Sequence, residues 1–192
     1  MSQMYRIALK SSVKRTITAS DSITYPIQLT EILPEDEMKD VLKERLRAHG
    51  FEEQEDGTFR KPGEAGETIT VDLEKMEAEA SLSAERDMET EVEATGSGGT
   101  RTFAQTEAQR VLAAKEQHAR EMLGSKEKGL QEDLTGRLEE SEEGRMRDFN
   151  EILQETYAES LKRKARQMGE VMEVREGTTE DGQYELTIRV EN

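Results

Sequence analysis

The chain has 192 residues, no cysteine, a formal net charge of −16 and only 33% apolar side chains. That composition excludes a disulfide framework or a thiolate nucleophile, argues against a single thick core, and sets the protein against phosphate backbones and anionic lipid. No apolar run approaches the roughly 20 residues that span a bilayer, and MSQMYRIALK lacks the apolar segment of a secretory signal, so a soluble, cytoplasmic protein is expected, with no nucleic-acid or membrane partner.

The first thirty residues read as strands. Tyr5, Ile7 and Leu9 alternate with Arg6, Ala8 and Lys10; Val13 to Thr18 is β-branched; Ile23, Tyr25, Ile27 and Leu29 alternate again. Pro26 marks the third run as an edge strand or an irregular one. PEDEMKDVLKERLRAHG then predicts a helix over 34–49. Pro34 suits the first helical position, and Glu35, Asp36 and Glu37 complement the dipole. Met38, Val41, Leu42 and Leu46 form one stripe, and Gly50 is placed as the left-handed cap. FEEQEDGTFRK reads as a hairpin turning at Asp56-Gly57, with Phe51 and Phe59 on its arms.

After the PGEAG loop, Ile69, Val71 and Leu73 alternate. MEAEASLSAERDMETEVEATG follows, within a quarter of the chain (51–100) that carries 15 acidic against 4 basic side chains, a net −11. As a helix, its carboxylates surround the axis. As a strand, every odd position from 77 to 93 is Glu, Asp or Ser, and the even positions are mostly apolar. The pattern outweighs the helix propensity of Glu, Ala and Met, so a strand is expected, joined to ITVDL by a turn at 73–76.

GSGG at 96–99 reads as flexible punctuation, and from Thr102 the period becomes helical. Phe103, Val111, Ala114, His118 and Met122 are the first expected stripe. GSKEKG at 124–129 weakens or breaks the helix, and Leu130, Leu134, Leu138, Met146, Phe149, Leu153, Tyr157, Leu161, Ala165 and Met168 are the second. From Met146 the mean step of about 3.7 is near the eleven-residue repeat of a straight coil. An antiparallel helical hairpin or a single coiled-coil rod fits. The chain closes on a hairpin in which Tyr184, Leu186, Ile188 and Val190 face Met172 and Val174 across an Asp181-Gly182 turn.

The expected fold is therefore α+β: an antiparallel sheet built from both chain ends, one short helix, and a long helical hairpin or coiled-coil arm inserted between. The boundaries are a β-rich part (1–95) containing the helix, a linker (96–101), the arm (102–169) and a C-terminal hairpin (170–192) completing the β part.

No phosphate loop, dinucleotide fingerprint, nucleophile elbow or zinc-hydrolase motif occurs, which points away from an enzyme and names no cofactor. His49 reads as a helix-end cation and His118 as a residue packed on its helix face. Glu139/Glu140 and Glu142/Glu143 read as a solvated surface, lacking calcium-loop spacing. Lys162, Arg163, Lys164 and Arg166 complement a helix C-terminus or dock an acidic partner. The candidate partner-binding residues are Met146, Phe149, Leu153, Tyr157 and Leu161 on the arm, and Glu77, Glu79, Glu85, Asp87, Glu89 and Glu91 on the acidic stretch. The arm's stripe would pair in cis or with a partner helix. Two other readings use the same features: a Ca/Mg-binding module or enzyme built on residues 76–94, and a structural subunit of a virion or filament.

The order of these elements, with RLRAHGFEEQEDGTFRK, ITVDLEKMEAEASLS and DGQYELTIRVEN at the two β ends, resembles a family of small accessory proteins. These are encoded beside MoxR-type AAA+ ATPases and von Willebrand A proteins in the bacterial FtsH ternary systems. The resemblance covers about half the chain. It implies a non-enzymatic companion of an AAA+ ATPase machine in stress or defence, and the main expectation from the residues themselves is a scaffold or adaptor that binds protein partners, the AAA+ ATPase or further copies of itself. It assigns no functional residue.

Overall fold

A computed structural model describes residues 4–179 and 183–191. In chain order the elements are β1 (Tyr5–Pro26), α1 (Glu35–Ala48), β2 (Glu52–Glu53), β3 (Phe59–Pro62), β4 (Thr68–Asp72), β5 (Glu77–Gly98), α2 (Arg101–Glu140), α3 (Glu142–Met168), β6 (Glu170–Thr178) and β7 (Tyr184–Glu191). The first two β-patterned runs near the N-terminus and the first half of the third are one 22-residue strand; Pro26 is its last residue, where a missing N–H costs least, and Ile27 and Leu29 lie beyond it.

The fold is α+β with antiparallel strands from both chain ends, as the alternation predicts. The strands form two sheets, however, not one. Five lie in the order β1-β5-β4-β3-β2, whereas β6 and β7 pair only with each other. The C-terminal strands do not complete the first sheet; alternation reports a half-buried strand but not which strand it joins. The expected Asp181-Gly182 turn lies outside the described residues.

By contacts the chain divides into two compact units, Met1–Asp21 with Leu82–Arg137, and Ser22–Ser81 with Leu138–Asn192. In the first, α2 lies on the apolar face of β1 and β5. Val13, Val92, Ala119 and Leu123 are buried there, with Met88 and Leu112 against them. The buried helix face runs through Ala104, Ala108, Ala119, Leu123, Leu130 and Leu134. That is about one position round from the expected stripe, so Phe103 and Met122 are exposed (62% and 51%), as is His118. The reason is close approach: at Gly96 an added Cβ would sit 2.1 Å from the Ala104 carbonyl oxygen and 2.4 Å from the Ala108 nitrogen. Only small side chains fit that contact, and they carry little hydropathy signal. Gly96 and Gly98 thus belong to the end of β5 and meet the helix, instead of forming a flexible linker.

GSKEKG does not break α2, which is continuous through it. Each glycine costs about 1 kcal/mol against Ala. Leu123, Leu130 and Leu134 are buried on either side, and Arg15 Nη2 meets Glu127 Oε2 at 2.5 Å within the segment. Burying the apolar face outweighs the local penalty.

The second unit holds α1, the hairpin β2/β3, β4 with the first residues of β5 (77–81), α3 and β6/β7. The α1 terminus follows its sequence signals. Gly50 has φ +83°, its N–H donates to the Arg47 carbonyl (3.1 Å), and the Phe51 N–H donates to the Leu46 carbonyl (3.0 Å), with both Leu46 and Phe51 in the core. Asp56 Oδ1 accepts the Thr58 N–H (3.0 Å) and hydroxyl (2.6 Å) to close the β2/β3 turn. At 73–76 Asp72 Oδ1 accepts the N–H groups of Glu74 and Lys75, both at 3.0 Å, and β4 then pairs with β5 from Asp72↔Glu77 to Thr68↔Ser81. The acidic stretch is a strand.

The helix break lies at Ser141, between α2 and α3. The Leu138 carbonyl, which a continuing helix would use, instead accepts Arg145 Nη2 (2.6 Å) and the Ser141 hydroxyl (3.4 Å). α3 packs on α1 and on the C-terminal hairpin. Two of its buried residues, Thr156 and Ser160, donate their hydroxyls to the carbonyls four residues back, each at 2.7 Å, so neither hydroxyl is stranded.

Candidate functional site

The most enclosed chemistry is in the second unit, at the N-terminal half of α3. Arg145 and Glu67 form an ion pair at 3.2 Å with side-chain exposures of 7% and 0%. Glu67 is held under the PGEAG loop: the Gly63 N–H donates to its carbonyl at 2.7 Å, and a Cβ on Gly63 would meet its side chain at 2.5 Å. Arg145 also donates to the Tyr25 hydroxyl (3.2 Å), the Leu138 carbonyl (2.6 Å) and the Ser141 hydroxyl. Burial works against its charge, but the Tyr25 hydroxyl and the Glu67 carboxylate outweigh that and raise its pKa above the ordinary value.

Next to this pair lies a cavity of about 320 Å³. Its walls are mainly apolar: Phe51 and Ile69, Ala78 and Ala80 of β5, and Met146, Phe149, Ile152 and Leu153 of α3. Polar groups at its margin come from Tyr25, Gln28, Lys61, Glu79, Arg145, Asp148 and Asn150. Lys61 Nζ lies 4.0 Å from Asp148 Oδ2 and 5.7 Å from the centre of the Phe51 ring. An apolar pocket with a few convergent polar groups suits an apolar side chain whose own backbone is hydrogen-bonded at the rim.

The arm residues singled out from the sequence fall around this feature. Met146, Phe149 and Leu153 line the cavity, and Phe149 and Leu153 also pack on the core. Tyr157 donates its hydroxyl to the Gln28 carbonyl (3.0 Å) and accepts the Thr30 N–H (3.3 Å). Leu161 is 41% exposed and does not line it. His49 joins Arg45 on Glu155, at 3.1 and 3.8 Å. Sequence reasoning missed Arg145, Glu67 and Lys61. A charged residue next to a helical stripe, one position before Met146, looks like surface, and no pattern links position 67 to 145.

The acidic residues divide between the units. Glu77 and Glu79 are in the second, with Glu79 on the cavity wall. In the first unit the outward face of β5 is matched by β1: Lys10 pairs with Glu93, Lys14 with Glu89 (3.2 Å), and the hydroxyls of Ser12 and Thr16 donate to Glu89 (2.5 Å) and Asp87 (2.7 Å). Partners rise along β1 as they fall along β5, the order of an antiparallel pair. Glu85 and Glu91 are exposed on the same face. No group of three or more His, Cys, Asp or Glu placed to hold a metal occurs among the described residues.

Glu89, through Ser12 and then Lys14, and Glu93, through Lys10, have their pKa values lowered. A lowered carboxylate contributes stability above its unfolded value and loses it as pH falls through the folded one. The β1/β5 ladder should therefore loosen on acidification below about pH 4. Amide exchange in β1 should quicken there, and replacing Lys10 and Lys14 together by Ala should flatten that dependence.

A family model for the FtsH ternary system domain X5 matches residues 1–192. The chain belongs to this family. Membership makes this X5 domain a component of a multi-protein system. No curated protein and no solved structure matches the chain. No helix among the described residues of the X5 domain is long and apolar enough to cross a membrane.

Proposed function

We propose that the protein is a non-enzymatic adaptor of its FtsH ternary system, which holds a partner protein through the cavity beside α3. The observation that carries this reading is the roughly 320 Å³ cavity, walled by Met146, Phe149, Leu153, Ile69 and Ala80 and edged by Lys61 and Asp148. An apolar anchor in a partly desolvated pocket is the usual source of affinity between proteins. The partners to test first are the AAA+ ATPase and von Willebrand A proteins implied by the sequence resemblance. The acidic strand gives less support to a cation-binding role, because Glu89 and Glu93 are engaged by Lys14 and Lys10.

The test is a binding titration of the purified full-length chain against each of those proteins. Met146, at the rim and 37% exposed, can be changed with little effect on the core. Met146→Asp should weaken the complex at least tenfold, about 1.4 kcal/mol. If neither protein binds, or if Met146→Asp binds as the parent does, this reading fails.

A further inference from the structure

The last strand has a symmetry that the pocket does not use. β7 pairs on one side with β6, in register from Glu170↔Glu191 to Thr178↔Tyr184, and the sheet has only these two strands. Among the described residues its other edge is unpaired. A two-stranded sheet is marginal by itself, and Leu186, Ile188 and Val190 are only half-buried although α3 packs against β7.

YELTIRV reads as a palindrome in chemistry. Centred on Thr187, an antiparallel copy of β7 brings Glu185 opposite Arg189 and Arg189 opposite Glu185 on one face. Thr187 meets itself at the centre of that face, and on the other face Leu186 meets Ile188 and Tyr184 meets Val190. Every cross-strand pair is apolar with apolar, opposite charges, or Thr with Thr, the combinations that stabilise such pairing. Glu185, Thr187 and Arg189 are exposed, and neither charged residue makes an ion pair with another described residue.

The two other long edges lack this property. The basic residues Arg6, Lys10 and Lys14 of β1 would repel a second β1, the usual protection of an edge strand. The β6 strand carries a bulge between Val171 and Glu173. β7 has neither a bulge, a Pro nor a Lys.

We infer that β7 is a self-association surface. Two copies of the chain join β7 to β7 about a twofold axis through Thr187, giving a four-stranded antiparallel sheet β6-β7-β7-β6. Such an interface is isologous and closes on itself, so it makes dimers and not filaments. It is independent of the adaptor reading, because no residue of β7 lines the cavity.

Sedimentation equilibrium on the full chain tests it. The parent should sediment at twice its 21.8 kDa mass. Arg189→Glu places Glu against Glu, and Glu185→Arg places Arg against Arg; each should weaken self-association at least tenfold. An equimolar mixture of the two variants restores two opposite-charge pairs and should recover the dimer. The double variant Glu185→Arg/Arg189→Glu, which remains self-complementary, should also dimerise, and it carries the test if a single variant fails to fold. A parent that is monomeric at every concentration, or a dimer that the single variants form as well as the parent does, overturns the proposal.

Discussion

Arg145→Met should lower the stability of the protein by about 3–5 kcal/mol, the penalty for removing one partner of a buried ion pair. Against a total of about 5–15 kcal/mol for a typical domain, this is a large share. The loss is asymmetric. Arg145 has four acceptors, on Glu67, Tyr25, Ser141 and Leu138, so Glu67→Gln leaves most of them in place. Glu67 has Arg145 on one oxygen and no partner on Oε2, so removing the guanidinium leaves a fully buried carboxylate without a donor. Urea unfolding should therefore rank Arg145→Met well below Glu67→Gln, with the double variant Glu67→Gln/Arg145→Met recovering part of the loss. Equal effects of the two single changes would show that the pair is more solvated than its burial indicates.

The second large effect is expected at Gly96. Gly96→Val introduces a Cβ that would lie 2.1 Å from the Ala104 carbonyl oxygen and 2.9 Å from the Ala108 Cα, both backbone atoms of α2. Backbone cannot rotate aside as a side chain can, so the helix must lift from the strand. Overpacking of this kind costs about 1–3 kcal/mol, and more when a whole element has to shift. Two other glycines serve as controls. At Gly98 the obstacle is the Phe103 ring, a largely exposed side chain that can swing away, so Gly98→Ala should cost less. At Gly129, inside α2 and facing open space, Gly129→Ala should stabilise by about 0.5–1 kcal/mol through helix propensity alone. Denaturation midpoints of the three variants give the ranking directly.

The same pair of glycines shows where reading from sequence stops. GSGG has the composition of a flexible linker, yet Gly96 and Gly98 are strand residues chosen for their lack of a Cβ. A glycine that permits close approach and one that permits bending are the same letter; the difference is the backbone that lies opposite. The stripe on α2 was displaced for a related reason. Phe103 and Met122 carry the strong hydropathy signal, but the tightest contact admits only Ala104 and Ala108. The ion pair between Glu67 and Arg145 spans 78 positions, and no local period connects them.

Where the interaction is local, the sequence is sufficient. The acidic side chains that open α1, its buried stripe and its Gly50 terminus follow from capping and from the 3.6-residue period. The turn at Asp56-Gly57 follows from the Asp side chain and the positive φ of Gly57. The alternation from Glu77 to Glu93 sorts the carboxylates of β5 to one face, and period 2 holds for any strand regardless of what it joins. Tertiary structure alone decided that the β runs up to Pro26 are one strand, that the C-terminal hairpin forms a sheet of its own, and that α2 continues through GSKEKG and ends at Glu140. In each of these, the free energy comes from contacts that no local period announces: buried leucines outweigh helix-breaking glycines, and a guanidinium seven residues ahead takes the carbonyl that a continuing helix needs.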